Sequence, residues 1–254
     1  MGAGHSHALY VHEHSVVHRL APEAKIVTAL GVVVCVAITP RQAVWAFGLY
    51  AVLVAGLIVA SRIRFAFVAV RLLAVVPFVV FALFIPFIAT GETTTIWGLT
   101  VSVDGLWGTW NIFAKAVLGA SVSIVLTATT EIPDILRGMG VLRVPALFTA
   151  IAMFMVRYLE LISEELRRVR VAMASRGYDP RWLSQARPIA SSAGALFVRS
   201  YERGERVHAA MLSRGFTGEM PELGHRRAEP RDWLVALSVV AATAAVSVSA
   251  IVIA

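Results

Sequence analysis

The 254-residue sequence predicts an all-α integral membrane protein with about five transmembrane helices and a cytosolic helical insert. Three observations predict it. Hydrophobic residues make up 58% of the chain and charged ones 15%, where an ordinary soluble domain carries about 25% charged residues. Mean hydropathy is +0.74. The charges are also segregated: residues 131–232 hold 16 Lys/Arg and 12 Asp/Glu, leaving few for the rest of the chain. A water-soluble enzyme of one or two domains is excluded on these grounds. Cys35 is the only cysteine, so neither an intrachain disulfide nor a Cys-based zinc site can form. The net charge of +7 is concentrated in one segment rather than spread over a soluble surface, so nucleic acid is not an expected partner.

Residues 1–24 form a polar, His-rich tail without the basic start and compact apolar run of a secretory signal. Apolar runs follow at Ile26–Thr39, Gln42–Ala60, Phe65–Ala89, Leu106–Thr130 and Trp233–Ala254. All but the first approach or exceed the roughly 20 residues that cross a hydrocarbon core. The third contains Pro77 and Pro86, tolerable where neighbouring helices satisfy the freed carbonyls. The domain order expected is therefore a cytosolic tail (1–24), a four-helix membrane region (25–130), cytosolic helices (131–232) and a C-terminal span (233–254).

Orientation follows from the basic residues. The turn at 61–64 carries Arg62 and Arg64, whereas the loop 90–105 has two acids and no Lys or Arg. The first is expected in the cytosol, and with it the N-terminus and the insert. Val144–Tyr158 is apolar but only about 15 residues long, which suits a buried or membrane-grazing helix better than a span.

The insert contains a repeat. Met173-Ala-Ser175-Arg176-Gly177-Tyr178 recurs 38 residues later as Met211-Leu-Ser213-Arg214-Gly215-Phe216. Upstream of the first copy, Leu159, Ile162, Leu166, Val169 and Met173 step at helical spacing. Upstream of the second, Phe197, Tyr201, Gly204, His208 and Met211 do the same. Glu164/Arg168 and Glu202/Arg206 are i,i+4 pairs in the favourable order. Gly177 and Gly215 are natural residues for a left-handed helix end, and Arg176 and Arg214 then stand where the helix dipole favours a cation. One Arg-Gly is an ordinary helix end. Two copies sharing Met, Ser, Arg, Gly and an aromatic look like a paired docking device, suited to two equivalent acidic grooves on a symmetric dimer.

These motifs, with Thr130-Glu-Ile-Pro133, Val144-Pro145, Arg157-Tyr158, Glu160, the opening Met1-Gly-Ala-Gly-His5 and Ser15-Val-Val-His18-Arg19-Leu20, resemble the transmembrane (T) component of energy-coupling-factor transporters, in its cobalt branch, the CbiQ type. The resemblance covers nearly the whole chain. The family more often has Ala before the Arg-Gly, where this chain has Ser175 and Ser213. It implies a cytosolic coupling insert whose Ser175-Arg176-Gly177 and Ser213-Arg214-Gly215 ends dock on two ABC-type ATPase subunits. It also implies that the helices cradle a separate substrate-binding membrane subunit. The expected role is mechanical and non-catalytic: ATP and Mg²⁺ belong to the partner ATPases, Co²⁺ is the transported substrate, and no cofactor resides on this chain. The chain agrees in having no G-x-x-x-x-G-K-[ST] phosphate loop. The expected location is a bacterial inner membrane.

His5, His7, His12 and His14 are candidate metal ligands, since imidazole suits Co²⁺, Ni²⁺ and Zn²⁺. Such a cluster can also bind metal loosely without any role in transport. Lys115 lies inside a span with Asn111 one turn before it, and an intramembrane charge is by default a site. As a cation it would repel Co²⁺, so a contact with a neighbouring helix or subunit, or an outward reach to the interface, suits it better. No Asp or Glu occurs between residues 24 and 91 or between 105 and 130. A stand-alone divalent-metal channel or carrier, the alternative reading, normally needs such groups.

Overall fold

The computed structural model describes residues 15–89, 93–96, 99–179, 182–218 and 228–253, and these are almost entirely helical. They fall into two compact units, with the boundary inside one helix. Among the described residues, one contains 15–138 and 228–253, and the other 139–218.

The larger unit begins with one turn, α1 (Val16–Arg19), whose N-cap Ser15 accepts from the His18 amide. Next come α2 (Pro22–Ile38), opened by a proline, and α3 (Val44–Ala60). Each has 17 residues, about 25 Å at 1.5 Å per residue and thus below a full ~30 Å crossing. Pro40 sits between them and prevents one helix from running on.

The third apolar run forms a 24-residue helical span, Phe65–Ile88. It is built in pieces: α4 (Phe65–Leu72), a 3₁₀ turn at Leu73–Val75, α5 (Val76–Ala82) and α6 (Ile85–Ile88). Pro77 and Pro86 each fall at the start of a new piece, where their missing N–H costs nothing. A two-stranded antiparallel hairpin follows, β1 (Thr93–Ile96) and β2 (Leu99–Ser102), with Thr93 opposite Ser102. It adds a small ornament to an otherwise all-α chain. Ser102 then caps α7 (Val103–Thr129) by accepting from Gly105 N. A Cβ on Gly105 would lie 2.5 Å from the Cα of Pro86, so only glycine lets α6 and α7 approach this closely.

α7 and α11 (Pro230–Ile253) both pack on α2. The core runs through Val32, Val36, Phe47, Tyr50, Val54, Leu118, Val122 and Ala250. Polar side chains tie the helices together. Lys25 Nζ donates to Thr129 O (2.9 Å), Thr130 Oγ1 (3.2 Å) and His18 O (3.2 Å). Lys115 Nζ, from the other partner, donates to Ala37 O at 2.7 Å. The antiparallel helices α2 and α7 thus each send a lysine to the carbonyl end of the other, where the dipole favours a cation. Lys115 is therefore a contact to a neighbouring helix. Tyr50 OH lies 3.0 Å from Thr39 Oγ1 and donates to Thr243 O at 3.3 Å, joining α3 to α11. Arg41 and Asp104 pair at 2.9 Å beside the start of α7.

The boundary between the units lies in α8 (Ile132–Val141). The second unit contains α9 (Ala146–Ser175), a 3₁₀ turn at Leu183–Ala186 and α10 (Arg187–Leu212). Val144–Tyr158 is not a helix of its own. Its residues from Ala146 onward are the first half of one 30-residue helix that continues through the charged stripe. No Gly or Pro interrupts the register between Ala146 and Ser175, so nothing ends the helix where the composition changes.

Among the described residues, four helices are long and apolar enough to cross a membrane: Phe65–Ile88, Val103–Thr129, Ala146–Ser175 and Pro230–Ile253. Three coincide with runs expected to span. The fourth is the α9 segment that length alone had set aside. α2 and α3, expected as spans, are the shorter helices of the bundle.

Candidate partner-docking site

α9 and α10 end in the same way. At the first end, Gly177 takes φ +75°, Gly177 N donates to Ala174 O (3.0 Å) and Tyr178 N donates to Met173 O (3.1 Å). At the second, Gly215 takes φ +81°, Gly215 N donates to Leu212 O (3.0 Å) and Phe216 N donates to Met211 O (3.0 Å). Both are Schellman motifs, in which a left-handed residue lets two N–H groups fold back on the last turn's carbonyls. A Cβ at either glycine would meet nothing within 4 Å, so the backbone angle alone demands glycine there.

The serines are used locally. Ser175 Oγ donates to Ala172 O at 3.0 Å and Ser213 Oγ to Ala210 O at 2.9 Å. That leaves Arg176 and Arg214 as the groups each end offers. Both are exposed, and neither forms an ion pair among the described residues. The six residues singled out by the repeat, Ser175, Arg176, Gly177, Ser213, Arg214 and Gly215, therefore form two equivalent exposed tips. Each tip presents a guanidinium able to take a carboxylate bidentately. Arg176 is the cap residue of α9 and Arg214 lies one position beyond the cap of α10.

The seam between the two helices differs from the expected stripes. Glu164–Arg168 (2.9 Å) and Glu202–Arg206 (3.9 Å) form as expected. From Tyr158 onward the half-buried positions of α9 are Tyr158, Ile162, Glu165, Val169 and Met173, so Leu159 and Leu166 face outward. On α10 they are Ser192, Leu196, Ser200, Arg203, Val207 and Met211, which places Phe197 and Tyr201 outside at 71% and 61% exposure. The face in contact is thus rotated by one residue from the apolar one. The cause is Glu165, which pairs with Arg199 (3.3 Å) and Arg203 (3.6 Å) across the seam. Its partners lie more than thirty residues away, so no local spacing announces them. With an ion pair at its centre, the seam leaves Leu159, Leu166, Phe197 and Tyr201 exposed. α9 and α10 have no buried residue at all.

His5, His7, His12 and His14 lie outside the described residues. Among those described, no group of three or more His, Cys, Asp or Glu is placed to hold a metal ion.

Four helices long and apolar enough to cross a membrane, in a chain that also carries two matched exposed arginine tips, mark a multi-pass membrane protein. The chain belongs to the CbiQ family of cobalt transport proteins, whose model matches residues 13–224. Among curated proteins it is 33% identical over 106 residues to the cobalt transport protein CbiQ of Rhodobacter capsulatus, covering 41% of this chain and 42% of that one. It is 25% identical over 255 residues to the energy-coupling factor transporter transmembrane protein EcfT of Lactococcus lactis, covering 92% and 93%. An uncharacterized protein of Methanocaldococcus jannaschii is 25% identical over 127 residues, covering 49% of this chain, which spans about half (47%) of that relative's length.

Proposed function

We propose that the chain is the energy-coupling transmembrane subunit of an ATP-driven, ECF-type cobalt importer. Two ABC-type ATPase subunits receive the Arg176 and Arg214 tips. ATP binding and hydrolysis move those subunits, and the long helices pass the motion to a separate substrate-binding membrane subunit that carries Co²⁺. The basic turn at 61–64 then faces the cytosol of a bacterial inner membrane, and so does the N-terminus.

The observation that carries this reading is the identity of the two tips. A helix end needs a left-handed residue only to terminate; it does not need the same arginine, one residue earlier, twice. The EcfT relative aligned over nine-tenths of both chains supports the energy-coupling role. The family description and the Rhodobacter relative support cobalt.

The test is a double substitution, Arg176→Ala with Arg214→Ala, in cells that carry the partner subunits. Cobalt uptake should be abolished, and the ATPases should no longer co-purify with a chain still inserted in the membrane. Normal uptake with ATPases retained would overturn the coupling role. So would purified chain that moves Co²⁺ into liposomes without ATP.

A further inference from the structure

The larger unit contains a cavity of about 220 Å³ bounded by five helices. Val17 and Leu20 close it from the α1 side, Ala29 and Val32 from α2, Leu57 and Ala60 from α3, and the ends of α7 and α11 complete it. Its polar lining is confined to Lys25, Thr28 and Thr129, and all three are engaged elsewhere. Lys25 makes its three hydrogen bonds to Thr129 O, Thr130 Oγ1 and His18 O. The Thr28 hydroxyl donates to Ala24 O, and that of Thr129 to Val125 O. The side-chain donors on its wall are thus all used, and the rest of the lining is apolar. An apolar cavity of about 150 Å³ is already known to stay dry and take up hydrocarbon, and this one is larger. In a bundle surrounded by bilayer, the hydrocarbon at hand is a lipid tail.

Two arginines follow one wall residue in the chain. α3 ends at Ala60, a wall residue, and the next residues are Ser61, Arg62, Ile63 and Arg64. Ser61 and Ile63 are buried, whereas Arg62 and Arg64 are exposed. Arg62 holds φ +56° in a Schellman end closed by Ile63 N donating to Ile58 O at 3.3 Å. This is the position where α9 and α10 use glycine. A side chain is disfavoured there, so an arginine in that place is explained by something its guanidinium does. α1 packs on α3 at this end, and its Val16 is left 73% exposed, as suits a turn lying at a membrane surface.

We propose that the cavity holds one acyl chain of an anionic phospholipid, with its phosphate received by Arg62 and Arg64. The lipid wedges α1 against α2, α3, α7 and α11 and anchors this end of the bundle to an acidic leaflet.

The experiment places the full chain in nanodiscs containing phosphatidylglycerol or phosphatidylcholine with a photoactivatable group on one acyl chain, and maps the adducts by mass spectrometry. Adducts should concentrate at Ala29, Leu57 and neighbouring wall residues, above those at Val52 and Val70 on the outward faces. Phosphatidylglycerol should label the cavity at least about fivefold more than phosphatidylcholine, the preference one basic residue at a membrane surface gives. Ala29→Phe should empty the cavity of adducts and leave those at Val52 unchanged. Should that variant fail to fold, Arg62→Gly with Arg64→Ser decides. It relieves the left-handed arginine, and it should keep the cavity adducts while bringing the two lipids to parity. Equal labelling of cavity and outer faces, or no lipid preference in the unaltered chain, would overturn the proposal. So would a cavity free of adducts, the result expected if a protein side chain fills it.

Discussion

The bundle and the pair of long helices use their polar groups in opposite ways. In the bundle, polar side chains serve other helices of the same unit: Lys25 and Lys115 serve the ends of α7 and α2, and Tyr50 and Thr39 bind α3 to α11. In α9 and α10, Glu165 pairs with two arginines across the seam, and the side chains of Arg176 and Arg214 form no ion pair among the described residues. The first region is a frame that pairs most of its polar groups internally, with Trp110 Nε1 and Asn111 Oδ1 as buried exceptions, because hydrocarbon offers no alternative partner for a polar group. The second is the proposed adaptor, which leaves apolar residues and two cationic tips exposed. Substitutions in the frame should therefore act on folding, and substitutions in the adaptor on assembly and transport.

The largest break in that contrast is expected at Lys25. It is 7% exposed and bonded to two buried acceptors on α7 and its cap residue. Lys25→Met removes the donor and strands those acceptors, at a cost of about 3 kcal/mol. Thermal unfolding in detergent should show the loss, and the complex should fall in abundance as a whole rather than shed its ATPases. A variant with unchanged stability and selective loss of a partner would place Lys25 with the adaptor.

Gly177→Ala should act at a smaller scale and in the other sense. No atom lies within 4 Å of the new methyl group, so the cost is that of holding alanine at φ +75°, about 1–2 kcal/mol. The helix end yields before the fold does, by relaxing the left-handed turn and re-aiming Arg176. ATPase retention and uptake should fall while the unfolding midpoint barely moves, and Gly215→Ala should match it. Unequal effects would mean that the two tips are not equivalent.

How much of this was legible in the sequence divides along the same line. The adaptor's tips were, because an Arg-Gly end is a local event written in six consecutive residues. So were Glu164–Arg168 and Glu202–Arg206, which are one helical turn apart. The seam was not, because hydrophobic spacing finds the most apolar face and assumes that it is the one in contact. Here the apolar face is left exposed, and a charge cluster with partners on the neighbouring helix holds the seam. The limits of α9 were hidden for a related reason: composition changes at Tyr158, but helical backbone needs a breaker to stop, and none is present. In the frame, apolar runs located the helices, while the lysine exchange between α2 and α7 depends on an antiparallel pairing that spacing along one chain cannot reveal.

The smallest effect sharpens the comparison most. Arg143 takes φ +66° in the loop before α9, and Val144 N donates to Met139 O at 3.1 Å across it. This is the hydrogen bond that Gly177 and Gly215 allow at the other ends, here with an exposed side chain at the strained position. Arg143→Gly relieves about 1–2 kcal/mol of left-handed strain and gives back about 0.5–1 kcal/mol in the greater freedom of the unfolded chain. The net is a gain of about 0.5 kcal/mol, measurable as a slightly higher unfolding midpoint. If transport falls while stability rises, the guanidinium of Arg143 acts on a partner and the adaptor begins at its first turn. If transport is unchanged, the adaptor's working cations are confined to its two tips.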